Sequence, residues 1–221
     1  MPNHFELKVL EGKLGLKLTR EKYARINNKS SFQGTMIGCD YVNEKMRIYT
    51  DEWCKNHFEE CMKNYDLNME YFSLLDNNEF NLEIDKFLKQ NEGFVEVSDL
   101  NLYHMKPGYY LMVLDEYCQV YIGTTNDIKK RIRQHWSGNK HFDRLLLPMG
   151  AVDSSILSID SFRAFDTTRI FAYITEKIFD NEDKFINEFS SKFVCNRLSG
   201  GKFKGIGLLS SIMMMKSRKL K

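Results

Sequence analysis

Between residues 108 and 136 the chain changes its apolar rhythm. Two short runs, YYLMVLD at 109–115 and CQVYIG at 118–123, are dense in aromatic and branched residues, with Asp115-Glu116 beside the gap between them. Runs of that length around a polar break predict an antiparallel hairpin, ended by Gly123. From 127 to 136 the sequence DIKKRIRQHW becomes helical. Its Ile128 and Ile132 are four apart and share one face, and Asn126 is placed to cap the start. Phe171-Ala172-Tyr173-Ile174 predicts a third strand. A further helix is expected from about Asn181 to Ser190, burying Phe185, Ile186 and Phe189. The order strand, strand, helix, strand, helix describes a small mixed α/β unit, its hairpin and central sheet flanked by helices.

The first hundred residues carry a different pattern. Thr50 followed by Asp51 and Glu52 marks a helix start, with acidic groups at the positive end of the helix. Trp53, Cys54, His57, Phe58 and Cys61 recur at helical spacing as far as about Tyr65. Asn78 or Asn81 begins a second helix, with Leu82, Ile84, Phe87 and Leu88 as its apolar contacts and Gly93 as its end. Arg47-Ile48-Tyr49 reads as a short strand. Pro107-Gly108 marks a turn, so a junction is expected within 91–107. The chain as a whole is expected to be α+β: an unassigned region 1–106, a compact unit 107–205 and an extension 206–221.

Composition narrows the class. Hydrophobic residues make up 43% and charged residues 28%, as in ordinary globular proteins. No run approaches the length of a membrane span, and the N-terminus lacks a basic stretch leading into an apolar one. Five cysteines at irregular spacing argue against a disulfide framework and for the reducing cytoplasm. The net charge of +2 conceals an asymmetry. Residues 1–106 hold 14 Lys+Arg against 18 Asp+Glu, a balance of −4; residues 107–221 hold 18 against 12, a balance of +6. The second half is the better match for a polyanion.

The candidate chemistry lies in that half. Gly108-Tyr109-Tyr110 is followed by Tyr121-Ile122-Gly123; Arg131 stands ten residues beyond Tyr121, and His135 one helical turn further on the same side. Glu182-Asp183-Lys184-Phe185-Ile186 and Cys195-Asn196-Arg197 come later in the chain. Together these elements, in this order, resemble the GIY-YIG nuclease family over roughly residues 107–200. Tyr109 departs from the pattern, standing where the family has isoleucine. In a strand it faces away from Tyr110 and packs against a different layer.

The resemblance implies a metal-dependent DNA endonuclease that hydrolyses phosphodiester bonds. It assigns catalytic positions to Tyr110, Tyr121, Arg131, His135, Glu182 and Asn196. Tyr110 is expected to direct the attacking water and Tyr121 to support the network. Arg131 is expected to grip the scissile phosphate through its planar fork. His135 relays a proton with Tyr110 or donates to the phosphate. Glu182 is the expected ligand of Mg²⁺ or Mn²⁺, hard cations that accept one carboxylate and keep several waters. Asn196 is expected to orient its neighbours. Lys129, Lys130, Arg133, Arg163 and Arg169 are candidate DNA contacts, although Asp160 and Asp166 offer the two later arginines a structural alternative. A double-strand cut calls for a homodimer, and residues 1–106 are free to recognise DNA or a protein partner. The competing function is an inactive nucleic-acid-binding or structural protein that retains the fold. A weaker pattern, Cys54, His57 and Cys61 with Cys39, sketches a zinc site, against which buried thiols are the simpler reading. Met213 to Met215 read as a last core contact, and Lys216, Arg218, Lys219 and Lys221 as a basic tail.

Overall fold

The computed structural model describes residues 1–28 and 49–197. Near the N-terminus, Asn3–His4 (β1) and Leu7–Lys8 (β2) pair antiparallel, and Arg20–Tyr23 (α1) adds a single helical turn. Two helices follow, Asp51–Ser73 (α2) and Asn77–Gln90 (α3). Next come Val95–Glu96 (β3), Gly108–Leu114 (β4), Gln119–Thr125 (β5), Ile128–Ser137 (α4), Arg169–Ile174 (β6) and Glu182–Asn187 (α5). The protein is α+β, and the expected order from β4 to α5 is present. Among the described residues no helix is long and apolar enough to cross a membrane.

Four strands form one sheet in the order β3-β6-β4-β5, every neighbour antiparallel. β4 lies inside it, and all seven of its residues are buried. That explains its nearly continuous apolar sequence: a strand covered on both faces has no polar side to alternate with. On one face Tyr109, Leu111 and Val113 join Phe80, Ile84 and Phe87 of α3 and Phe185 and Ile186 of α5. On the other, Tyr110, Met112 and Leu114 join Ile128, Ile132 and Trp136 of α4, together with residues of α2 and the N-terminal segment. The two-residue period of a strand thus sends adjacent tyrosines into opposite layers.

Several boundaries differ from the expectation for local reasons. α2 begins where Thr50 predicts, its hydroxyl accepting from the Trp53 amide at 3.1 Å. It runs on to Ser73, past Asn64 and Asn68, which are polar by sequence and yet buried. Their side-chain amides both donate to the Ser155 carbonyl, at 2.7 and 3.0 Å. The cap of α3 is Asp76, which accepts from Glu79 N at 2.7 Å, and neither Asn78 nor Asn81. Leu82 faces solvent, and Phe80 takes the core position. Gly93 lies beyond the end of α3, where a Cβ would come within 3.0 Å of the Tyr173 ring. α4 is capped by Asp127, one residue later than expected, through a 2.9 Å bond to the Lys130 amide. Except for Tyr49, the strand read at 47–49 falls outside the described residues, as do Cys39, Met213 to Met215 and the basic tail.

One anchor of the long connection from α4 to β6 is the buried Asp166 carboxylate. Asp166 accepts from Arg163 N at 2.7 Å, Leu18 N at 2.9 Å and Tyr117 Oη at 2.8 Å. Those bonds tie the N-terminal segment to the connection and hold its turn Ile159–Ser161 against α4.

Candidate active site

The register of the hairpin sets the position of the first tyrosine. Tyr110 is directly opposite Gly123, and a Cβ added to Gly123 would meet the phenolic oxygen at 2.3 Å. A side chain there would displace the ring, so glycine is a requirement of packing. Gly108 answers a similar constraint, since its Cβ would approach the Tyr173 carbonyl oxygen to 2.1 Å.

From Tyr110 a hydrogen-bonded series runs across the layer beneath α4. The Tyr110 hydroxyl is 2.8 Å from His135 Nε2. His135 Nδ1 is 2.7 Å from an Asp160 carboxylate oxygen, and the other oxygen of Asp160 faces Lys140 Nζ at 3.7 Å. An ionised carboxylate only accepts, so Nδ1 carries the imidazole proton and Nε2 accepts from the phenol. The Tyr121 ring packs edge-on to His135 at a centroid distance of 5.0 Å and lies 6.2 Å from the Tyr110 ring.

Electrostatics sets the resting protonation of this series. Burial, with the neighbouring Tyr121, pushes the Tyr110 phenol well above its ordinary value. Burial also lowers His135 below the usual imidazole value, although Asp160 pulls the other way. For Asp160, burial raises the carboxyl, but His135, Lys140 and Arg131 outweigh it and hold the group below its ordinary value. The resting state at neutral pH is therefore phenol, neutral imidazole and carboxylate.

Arg131 is exposed on α4. Partial desolvation of its guanidinium disfavours the charge, yet the phenols of Tyr110 and Tyr121 and the Asp160 carboxylate raise its pKa overall. Arg131, Tyr121, His135, Lys140, Asp160 and Arg197 line one cavity of about 200 Å³. Glu182 is only 8% exposed and opens α5. A negative charge on Glu182 adds to the upward shift of both phenols, behind burial. The segment before it is anchored by Tyr109. That hydroxyl donates to the Lys177 carbonyl at 2.8 Å and accepts from the amides of Asp180 and Asn181 at 3.1 and 3.0 Å. The residue that departs from the family pattern thus braces the backbone leading to Glu182. Asn196 grips β5 through both groups of its amide: its Oδ1 accepts from Ile122 N at 3.0 Å, and its Nδ2 donates to Ile122 O at 2.7 Å.

Tyr110, Tyr121, Arg131 and His135 are therefore brought together, while Glu182 opens α5 and Asn196 is bound to the hairpin. Lys129 is half-buried and donates to Asn101 Oδ1 at 2.8 Å, while Lys130 and Arg133 are exposed on α4. Arg163 and Arg169 do not stand as open contacts. Arg163 is 5% exposed and donates to the carbonyls of Trp136, Gly138 and Asp160, so its guanidinium is turned inward to hold the connection. Arg169 is engaged by both oxygens of Asp115 and by Asn81.

Sequence reasoning missed Asp160 as a partner of His135, and it missed Lys140. Neither belongs to a motif; the only signal was the polar character of the run around 158–169. It also overlooked the burial of Arg197, which donates to the carbonyls of Ile156, Arg144 and Leu145 and to Ser155 Oγ. Cys54 and Cys61 are buried thiols, and His57 Nε2 lies 2.9 Å from the Phe142 carbonyl. Among the described residues, no three His, Cys, Asp or Glu converge as a metal cage. Glu182 offers a single hard oxygen donor. That fits Mg²⁺ or Mn²⁺ retaining most of its water and does not fit a closed structural zinc site.

Residues 106–193 match the family model described as the GIY-YIG catalytic domain. No curated protein and no solved structure matches the chain.

Proposed function

We propose, on the match of residues 106–193 to the GIY-YIG catalytic domain, that this protein is a metal-dependent DNA endonuclease. The observation that carries the reading is the series Tyr110–His135–Asp160 ending in a cavity with Arg131. Arg131 holds the scissile phosphate, offering two parallel donors and a permanent charge. Tyr110 positions the attacking water. Leaving the phenol ionised at pH 7 would cost at least about 4 kcal/mol even at its ordinary pKa. The proton therefore needs an acceptor, and His135 Nε2 is already within hydrogen-bond distance.

In the proposed step, water gives a proton to the Tyr110 oxygen as the phenolic proton moves to His135 Nε2. The water oxygen bonds to phosphorus, the bond to the 3′ oxygen breaks, and that oxygen leaves with the electron pair and takes a proton from solvent. Asp160 holds His135 in the tautomer that can accept, and stabilises the imidazolium that forms. Tyr121 supports the ring of His135. Glu182 would hold Mg²⁺ or Mn²⁺, which polarises the phosphate and stabilises the departing oxygen when bound. Asn196 keeps β5, and with it Tyr121 and Gly123, in register.

The test is cleavage of varied duplex and branched DNA with Mg²⁺, with Mn²⁺ and with chelator, beside a Glu182→Ala protein. Nicking that needs metal and is lost in Glu182→Ala supports the proposal. Metal-dependent nicking unchanged in Glu182→Ala removes the ligand assignment. No cleavage across the panel favours a protein that binds nucleic acid without turnover.

A further inference from the structure

Four clefts are linked in series through shared lining residues, and each neighbouring pair shares a cation. One of about 370 Å³ contains Lys130 and Arg133. It shares Lys130 with a cleft of about 460 Å³, which in turn shares Arg131 with the active-site cavity. That cavity shares Lys140 with a fourth cleft of about 470 Å³, whose far wall is the N-terminal segment with Lys22 and Arg25. Among the described residues no carboxylate lines this fourth cleft. The carboxylates along the others are Asp127, which caps α4 and faces His104 at 3.4 Å, and Asp160, engaged by His135 and Lys140.

We infer that these clefts form one cationic track for DNA, with Lys22 and Arg25 of the N-terminal segment holding phosphates on the side of the active site away from Arg133. The inference rests on the nuclease reading for its substrate class. Its geometry suits a polymer of phosphates and not a small anion: the cations follow one another from cleft to cleft and continue past the reactive cavity in both directions. α4 alone spans about 15 Å, enough for about four base pairs. Arg25 retains one bond to the Lys13 carbonyl and is otherwise exposed. Lys22 is half-buried and Lys140 sits between the two cavities. The acidic first half of the chain thus contributes a local basic wall where it meets the track.

The experiment is fluorescence anisotropy of the full chain with a labelled long duplex in chelator, titrated over a series of salt concentrations. Lys22→Glu/Arg25→Glu is expected to raise Kd roughly tenfold and to lower the salt slope by about 1.8, the value for two lost phosphate contacts. Lys22→Gln/Arg25→Gln should give the same direction with a smaller change in Kd, and it guards against misfolding by charge reversal. Lys86→Glu/Lys89→Glu on α3, against the opposite face of the sheet, should leave both quantities unchanged. Wild-type Kd and slope in both Lys22/Arg25 variants overturn the track, as does a wild-type protein that binds no duplex. A slope that falls as expected in the Lys22/Arg25 variants of a protein that cuts nothing leaves the track standing and removes the hydrolase reading. Cleavage with an unaltered slope in the variants does the reverse.

Discussion

Tyr109 and Tyr110 are neighbours on one strand, equally buried, and they face opposite layers. Tyr109 enters a layer built from the aromatic rings of α3 and α5, and its hydroxyl is saturated by three backbone groups. Tyr110 enters the layer under α4, where its hydroxyl begins a series of titratable groups that reaches a cavity. In the proposed mechanism, identical side chains thus become a brace and a reagent. The difference comes from which atoms meet the phenol: backbone partners fix a position, whereas an imidazole lone pair can take a proton.

Each layer can be perturbed without touching the other. On the apolar face, Phe87→Ala removes a ring packed against Phe94, Phe185 and Phe189. It should cost about 3–5 kcal/mol of stability, read by denaturant unfolding, with the cleavage rate per folded molecule nearly unchanged. A rate loss matching the Tyr110 variants would mean that the two layers are not separate in function.

On the reactive face, Asp160→Asn should slow single-turnover cleavage by on the order of 10²–10³-fold, because the amide can hold His135 in the wrong tautomer. Its pH profile supplies a second reading. Activity requires neutral His135, whose pKa burial lowers, so the acid limb of the rate should lie below the ordinary imidazole value. Asp160 opposes that lowering; without it the acid limb should move to still lower pH while the maximum falls. An unmoved limb and a full rate would remove Asp160 from the series.

Gly123→Ala tests the contact between hairpin and phenol. Overpacking against Tyr110 should cost about 1–3 kcal/mol, and the displaced hydroxyl should lower the rate more than the stability loss explains. Thermal unfolding and cleavage measured on the same samples separate the two. The smallest effect is expected for Tyr109→Phe, which leaves two backbone amides without an acceptor and should cost about 1–3 kcal/mol. The cleavage rate of the folded protein should stay near that of the wild type. No change in unfolding would show that the hydroxyl braces nothing.

The same contrast explains what the sequence disclosed. β4, β5 and α4 were legible because alternation, helical spacing and aromatic density are local properties, and Tyr110, Tyr121, Arg131 and His135 lie on them. The later half of α2 was hidden because its buried Asn64 and Asn68 are satisfied by carbonyls some ninety residues away, at Val152 and Ser155. Asp160 was hidden for a related reason. It acquires meaning only when Asp166 and Arg163 fold the connection beneath α4, and no local spacing announces that approach. Arg163 shows what the sequence left open: its charge allowed DNA or a structural turn, and its buried donors go to three carbonyls.

The division between the two tyrosines is decided by the single-turnover rate of DNA cleavage in Mg²⁺ by Tyr110→Phe and Tyr109→Phe, measured side by side on folded protein. Cleavage is expected to fall by on the order of 10³-fold in Tyr110→Phe, with DNA binding retained, and to stay near the wild-type rate in Tyr109→Phe. Equal rates in the two variants would contradict the division, because the adjacent phenols would then share one role.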